Sequence, residues 1–129
     1  METNIETNME TTMNQYLLIL RDDPAVFHGL SPQQMQQVIA KYRDWRLRMQ
    51  EAGRVAGGHK LEDGTGRVLN NGGPSGELRI TDGPFTESKE VIGGFFLVNA
   101  ASYEDAIELC RDCPHLEFGA IEVRCIEKM

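Results

Sequence analysis

An α+β fold of the ferredoxin-like type, a βαββαβ sandwich with an inserted hairpin, is predicted by three features of the chain. Strand-like and helix-like segments follow one another as strand, helix, strand, hairpin, strand, helix, strand. Each helical segment opens on a serine cap. The first strand, Tyr16-Leu17-Leu18-Ile19-Leu20, is apolar on both alternating faces, as a central strand covered on both sides would be. Both helices then share one sheet face, and apolar residues on the other predict a homodimer packed sheet to sheet.

Residues 1–14 are Thr, Asn, Glu and Met with a single Ile. They are too polar to bury anything and read as a disordered tail, leaving 15–129 as the folded domain. Ser31-Pro32-Gln33-Gln34 is a helix start: Ser31 caps, Pro32 occupies the first turn, and Gln34 is placed for a capping box. Met35, Val38, Ile39, Tyr42, Trp45 and Met49 follow at steps of three and four, an apolar stripe that Gly53 ends.

Arg54 to Leu61 reads as a strand with Val55, Gly57, His59 and Leu61 on one face. From Glu62 to Glu77 the chain is rich in Gly and Asn, which predicts turns around a hairpin of Arg67–Leu69 against Leu78–Thr81. Phe95–Asn99 is a further buried strand. Ser102-x-x-Asp105 opens the second helix, with Tyr103, Ala106, Ile107 and Cys110 inward, and Pro114 stops it. The last strand, Ala120–Ile126, alternates Ile121, Val123 and Cys125 with Glu122 and Arg124.

A chain of 129 residues is one domain by length. Its net charge of −7 repels phosphate backbones and anionic lipid, so neither nucleic acid nor membrane is an expected partner. No apolar run approaches the roughly 18 residues that span a bilayer, and no basic-then-apolar leader is present. Three cysteines without framework spacing fit a reducing cytoplasm.

The pieces Tyr16-Leu17-Leu18-Ile19, Leu30-Ser31-Pro32, Gly57-Gly58-His59-Lys60-Leu61 and Glu122-Val123-Arg124 resemble the YCII-related family. Asp82-Gly83-Pro84-Phe85, followed by Glu87, Lys89-Glu90 and Gly93-Gly94, resembles its DGPF branch. The resemblance covers nearly everything from Asn14 onward. It implies a dimeric α/β barrel and a small bacterial cytoplasmic protein. Some relatives carry small-molecule chemistry, with a His–Asp pair in a cleft proposed as the site.

His59 is the first candidate for acid–base work. An imidazole side chain ordinarily titrates near neutrality, and Gly57 and Gly58 beside His59 leave room for a ligand. A core histidine bonded to a backbone carbonyl is the plain alternative. Asp82 ends a strand at a Gly-Pro corner, where it either caps turn amides or orients His59. Glu87 and Lys89 could supply a carboxylate and an ammonium for binding substrate, or form an edge ion pair. Arg21 and Asp22, at the exit of the first strand, are candidates for a pocket mouth, Arg21 as a substrate-binding group, or the two pair in solvent.

Cys110-Arg111-Asp112-Cys113 lies near a helix C-terminus, whose dipole opposes a thiolate, so these cysteines read as buried and inert. His115 beside that helix end reads as a dipole-friendly cation, and no metal site or cofactor cradle is expected. The set suits proton abstraction with elimination or isomerisation of a small molecule, by a lyase or isomerase that needs no cofactor. A non-catalytic metabolite-binding or regulatory module would use the same cleft.

Overall fold

The computed structural model describes residues 13–83 and 90–129. Six strands and two α-helices follow in chain order: β1 (Asn14–Asp22), α1 (Pro32–Glu51), β2 (Val55–Lys60), β3 (Arg67–Asn70), β4 (Arg79–Asp82), β5 (Val91–Ala100), α2 (Tyr103–Cys110) and β6 (Gly119–Cys125). Short 3-10 turns at Pro24–Phe27 and Pro114–Glu117, which the sequence reading lacked, lead out of β1 and into β6. The main sheet has the order β2-β5-β1-β6 with every neighbouring pair antiparallel, and β3-β4 form a separate two-stranded sheet. This is the ferredoxin-like α+β arrangement with an inserted hairpin. Residues 1–12 of the expected tail 1–14, and Glu87 and Lys89, lie outside the described residues, while Asn14 belongs to β1.

Alternation along β1 sets the core. Tyr16, Leu18, Leu20 and Asp22 are buried in phase, whereas Leu17, Ile19 and Arg21 are half-buried on the opposite face. Leu18 pairs with Phe96 on β5, whose ring lies 5.0 Å from that of Trp45 on α1. Tyr16, Val98, Ala100, Ala106 and Cys110 extend this cluster under α2. Trp45 is fully buried, so truncating it to Ala would cost about 3–5 kcal/mol.

The capping box at Ser31 forms as read: Ser31 Oγ accepts from the Gln34 amide at 3.1 Å, and Gln34 Oε1 accepts from the Ser31 amide at 2.8 Å. Gly53, at φ +72, ends the helix. Ser102 Oγ caps α2 through the Asp105 amide at 3.1 Å.

Two departures from the sequence reading matter for the site. A bulge between Val55 and Gly57 places two residues of β2 against one of β5. Val55 therefore packs on the helix-side core, while Gly57 and His59 face the other way, so the expected shared face of Val55 and His59 does not exist. Second, β5 starts at Val91, which puts Gly93 and Gly94 inside a strand rather than ahead of it. The pairing skips Gly93 between Leu20 and Arg21.

Candidate functional site

Those glycines open a cavity. Met35, Val38 and Ile39 on the first half of α1 overlie a part of the sheet where Gly93 and Gly94 offer no side chains to meet them. The result is a space of about 450 Å³ between α1 and the sheet. Gly94 has no room for a Cβ, which would lie 2.8 Å from the His59 carbonyl oxygen, so the absence of side chains there is enforced by strand packing.

Asp22, Tyr42 and His115 line this cavity. Asp22 is the last residue of β1 and is only 6% exposed. A Cβ on Gly93 would come within 3.0 Å of its Oδ2, so the carboxylate occupies the space that this glycine leaves. Among the described residues no side chain or amide donates a hydrogen bond to it. Burial raises its pKa above the ordinary carboxylate value; the nearby His115 and Lys60 oppose that shift, and Asp63 adds to it.

His115 is 1% exposed and has both ring nitrogens engaged. Its Nε2 lies 2.9 Å from the carbonyl oxygen of Arg21, and its Nδ1 lies 2.8 Å from the Tyr42 hydroxyl. A carbonyl can only accept, so Nε2 carries the proton and Nδ1 of the neutral ring accepts from Tyr42. Burial pushes the Tyr42 hydroxyl above the usual phenol range, aided by the charges of Cys113, Asp22 and Glu117, which keeps it a donor. Tyr42 on α1, His115 on the turn before β6 and the end of β1 are thus tied in one chain of hydrogen bonds.

Three cations, Arg43, Arg46 and Lys60, also line the cavity. Arg46 donates to the Gly58 carbonyl at 3.3 Å, with its guanidinium carbon 6.0 Å from the Phe96 ring centroid. Arg43 lines the cavity beside it. Lys60 is held by Asp63 at 2.8 Å and by the Leu61 carbonyl at 2.6 Å.

The residues singled out from sequence fall in different places. His59 is among the lining residues, but its pairing with Phe95 directs its side chain to the face away from the helices, where the two rings meet edge-on at 5.9 Å. Asp82 ends β4, exposed, and pairs with its cross-strand partner Arg67 at 3.4 Å. Among the described residues no contact joins His59 to Asp82. Arg21 is bound to Glu122 through Nε at 3.0 Å and Nη2 at 2.7 Å, on the face opposite Asp22, rather than pairing with Asp22. That pairing, reinforced by Arg124, holds the Glu122 carboxyl below its usual range.

The sequence reading puts Asp22 at a pocket mouth rather than buried in the cavity, and no motif marks His115 or Tyr42 as site residues. A signal for Asp22 was present: it falls in phase with Tyr16, Leu18 and Leu20, a carboxylate on the inward register of an apolar strand. His115 offered none, since its ring is placed by a 3-10 turn. Cys110 and Cys113 are buried, with thiols pushed by burial to about 12 and about 11. Among the described residues no group of His, Cys, Asp and Glu is set to hold a metal ion, and no helix is long and apolar enough to cross a membrane.

Residues 14–129 match the model of the YCII-related domain. The chain is also 28% identical over 111 residues to an uncharacterised protein of Rhizobium meliloti (strain 1021), covering 84% of this chain and 89% of that relative.

Proposed function

This chain belongs to the YCII-related family, and we propose that it is a small-molecule enzyme whose acid–base group is Asp22 in the cavity under α1. The observation that carries the reading is the carboxylate of a residue only 6% exposed, with a raised pKa and no described donor, lining a preformed cavity of ligand size. Groups buried at such cost are concentrated where chemistry uses them.

The reaction class is proton abstraction from a carbon acid. The C–H bond breaks as the proton passes to an Asp22 oxygen, and the electron pair left on carbon either moves to form a double bond, expelling a leaving group, or accepts the proton back at another carbon. The His–Asp pair expected from the sequence is here His115 with Asp22, in place of His59 with Asp82. His115 acts as a positioning residue: with both nitrogens occupied, it orients Tyr42 and biases the charge of Asp22 without touching substrate.

A homodimer through the uncovered sheet face is part of this proposal. Leu17, Ile19, Phe95 and Leu97 remain only half-buried there, a paired apolar set on adjacent strands. Sedimentation velocity is expected to give twice the 14.5 kDa chain mass, and a monomer at micromolar concentration would refute this part.

The test of function is exchange in D2O. A panel of carbonyl compounds and hydroxylated aromatics is incubated with the protein, and deuterium incorporation at carbon is followed by proton NMR. Asp22→Asn should lower exchange by about 10²–10⁴-fold, the usual contribution of a general base, with Asp82→Asn near wild type. Equal loss in both variants, or none in either, would contradict the assignment. The engagement of both His115 nitrogens favours a second reading, a rigid cavity that binds a metabolite without converting it. Binding without exchange would select it.

A further inference from the structure

We infer that the cavity takes a small organic monoanion, its carboxylate held by Arg43 and Arg46 and its apolar body lying along α1 toward Asp22. This rests on the reading of the cavity as a small-molecule site and adds the chemical class of the ligand.

Most arginines of the chain are already engaged by carboxylates. Arg21, Arg48, Arg54, Arg67, Arg111 and Arg124 each pair with a carboxylate. Arg43 and Arg46 pair with none among the described residues, although the chain has an excess of seven negative charges, and both line the cavity. Lys60 is there too, but Asp63 holds it.

Arg46 is also prepared for its task. One Nη donates to the Gly58 carbonyl and the guanidinium stands over Phe96, which fixes the group while leaving its other N–H donors open. A planar fork of that kind matches a carboxylate. Val38, Ile39, Met35 and Leu20 line the space between this cationic end and Asp22, and they would exclude water from an apolar chain or ring.

The topology supplies a length. Arg46 is tied to β2, whereas Asp22 ends β1, and β5 lies between them. The Asp22 carboxylate reaches over Gly93 and the Arg46 guanidinium over Phe96, three residues apart along β5, so the ligand carboxylate and the reacting carbon stand roughly 10 Å apart. An aryl or alkyl acid with a spacer of three or four carbons fits this distance. A cationic ligand would place like charge against the two arginines, and only Asp22 would favour it.

The experiment uses three probes of one shape: 4-phenylbutyrate, 4-phenylbutan-1-ol and 4-phenylbutylamine. Each is titrated into the full chain while the Gly93 and Gly94 amides are followed by 15N NMR. The acid should bind at least about tenfold more tightly than the alcohol, the scale of one charge-assisted hydrogen bond, and the amine should bind most weakly. Arg43→Gln removes no described hydrogen bond, and circular dichroism would verify its fold; it should reduce the preference for the acid and leave alcohol affinity unchanged. Equal binding of acid and alcohol, or preference for the amine, overturns the monoanion while the cavity remains a binding site. No shift at Gly93 or Gly94 with any probe overturns the inference together with the reading beneath it.

Discussion

His115 Nε2 donates to the carbonyl oxygen of Arg21 at 2.9 Å, and this single contact fixes the tautomer of a buried imidazole. In the neutral ring the other nitrogen then accepts from Tyr42. Long-range 1H–15N NMR should find the neutral His115 ring as the Nε2–H tautomer. Tyr42→Phe leaves Nδ1 without its donor and should lower stability by about 1–2 kcal/mol, measured by urea unfolding. An Nδ1–H ring, or an unchanged unfolding midpoint, would show that the chain of bonds does not form.

Asp22 makes stability depend on pH in an unusual direction. Burial raises its pKa in the folded chain, so between the unfolded and folded values the native state holds a proton that the unfolded state releases. Its contribution is therefore most favourable below the unfolded pKa and is lost as pH rises through the folded one. Asp22→Asn removes the buried charge. The variant should be more stable than wild type at pH 7, with the gap closing toward about pH 3, below the ordinary Asp value. Chemical denaturation at several pH values reads this, and a gap that widens in acid would contradict it.

The glycines facing Asp22 and the neighbouring strands predict graded costs. Gly94→Ala drives a Cβ to within 2.8 Å of the His59 carbonyl, a backbone atom that cannot swing aside. It should cost about 1–3 kcal/mol. At Gly93 the new Cβ would meet only the end of the Asp22 side chain at 3.0 Å, which can give by a few tenths of an ångström. Gly93→Ala should therefore cost less than Gly94→Ala while reducing exchange activity. Thermal unfolding of the two variants checks the order, and the reverse order would show that Asp22 is not seated over Gly93.

Thiol reactivity separates the three cysteines. Cys110 and Cys113 are buried with pKa values raised to about 12 and about 11, whereas Cys125 is exposed. Iodoacetamide at pH 8 should label Cys125 in the native protein and all three after denaturation. Fast native labelling at Cys110 or Cys113 would contradict the inert reading.

Much of the fold was legible because it rests on local signals. The Ser31 and Ser102 caps, the apolar stripe of α1 and the double-faced β1 each specify their element within a few residues, and the antiparallel sheet follows from their order. The site was less legible because it depends on two breaks in regularity. The β2 bulge reversed the face of His59, and the adjacent Gly57 and Gly58 mark a bulge and room for a ligand equally well. Gly93 and Gly94 were visible as a motif, but their purpose, to clear space for Asp22 and for the β2 backbone, requires knowing which strands adjoin. His115 came to the cavity through long-range packing of a 3-10 turn against α1, which no local pattern encodes.

The central claim is that Asp22 is a buried acid–base group electrostatically coupled to His115. Its most direct test is a pH titration of the Asp22 carboxyl carbon by 13C NMR in wild type and in His115→Gln. Burial should place the wild-type midpoint above the ordinary carboxylate range, and loss of His115, whose charge in the protonated ring lowers it, should move the midpoint further up. An Asp22 that titrates at the ordinary value and ignores the loss of His115 would contradict the account.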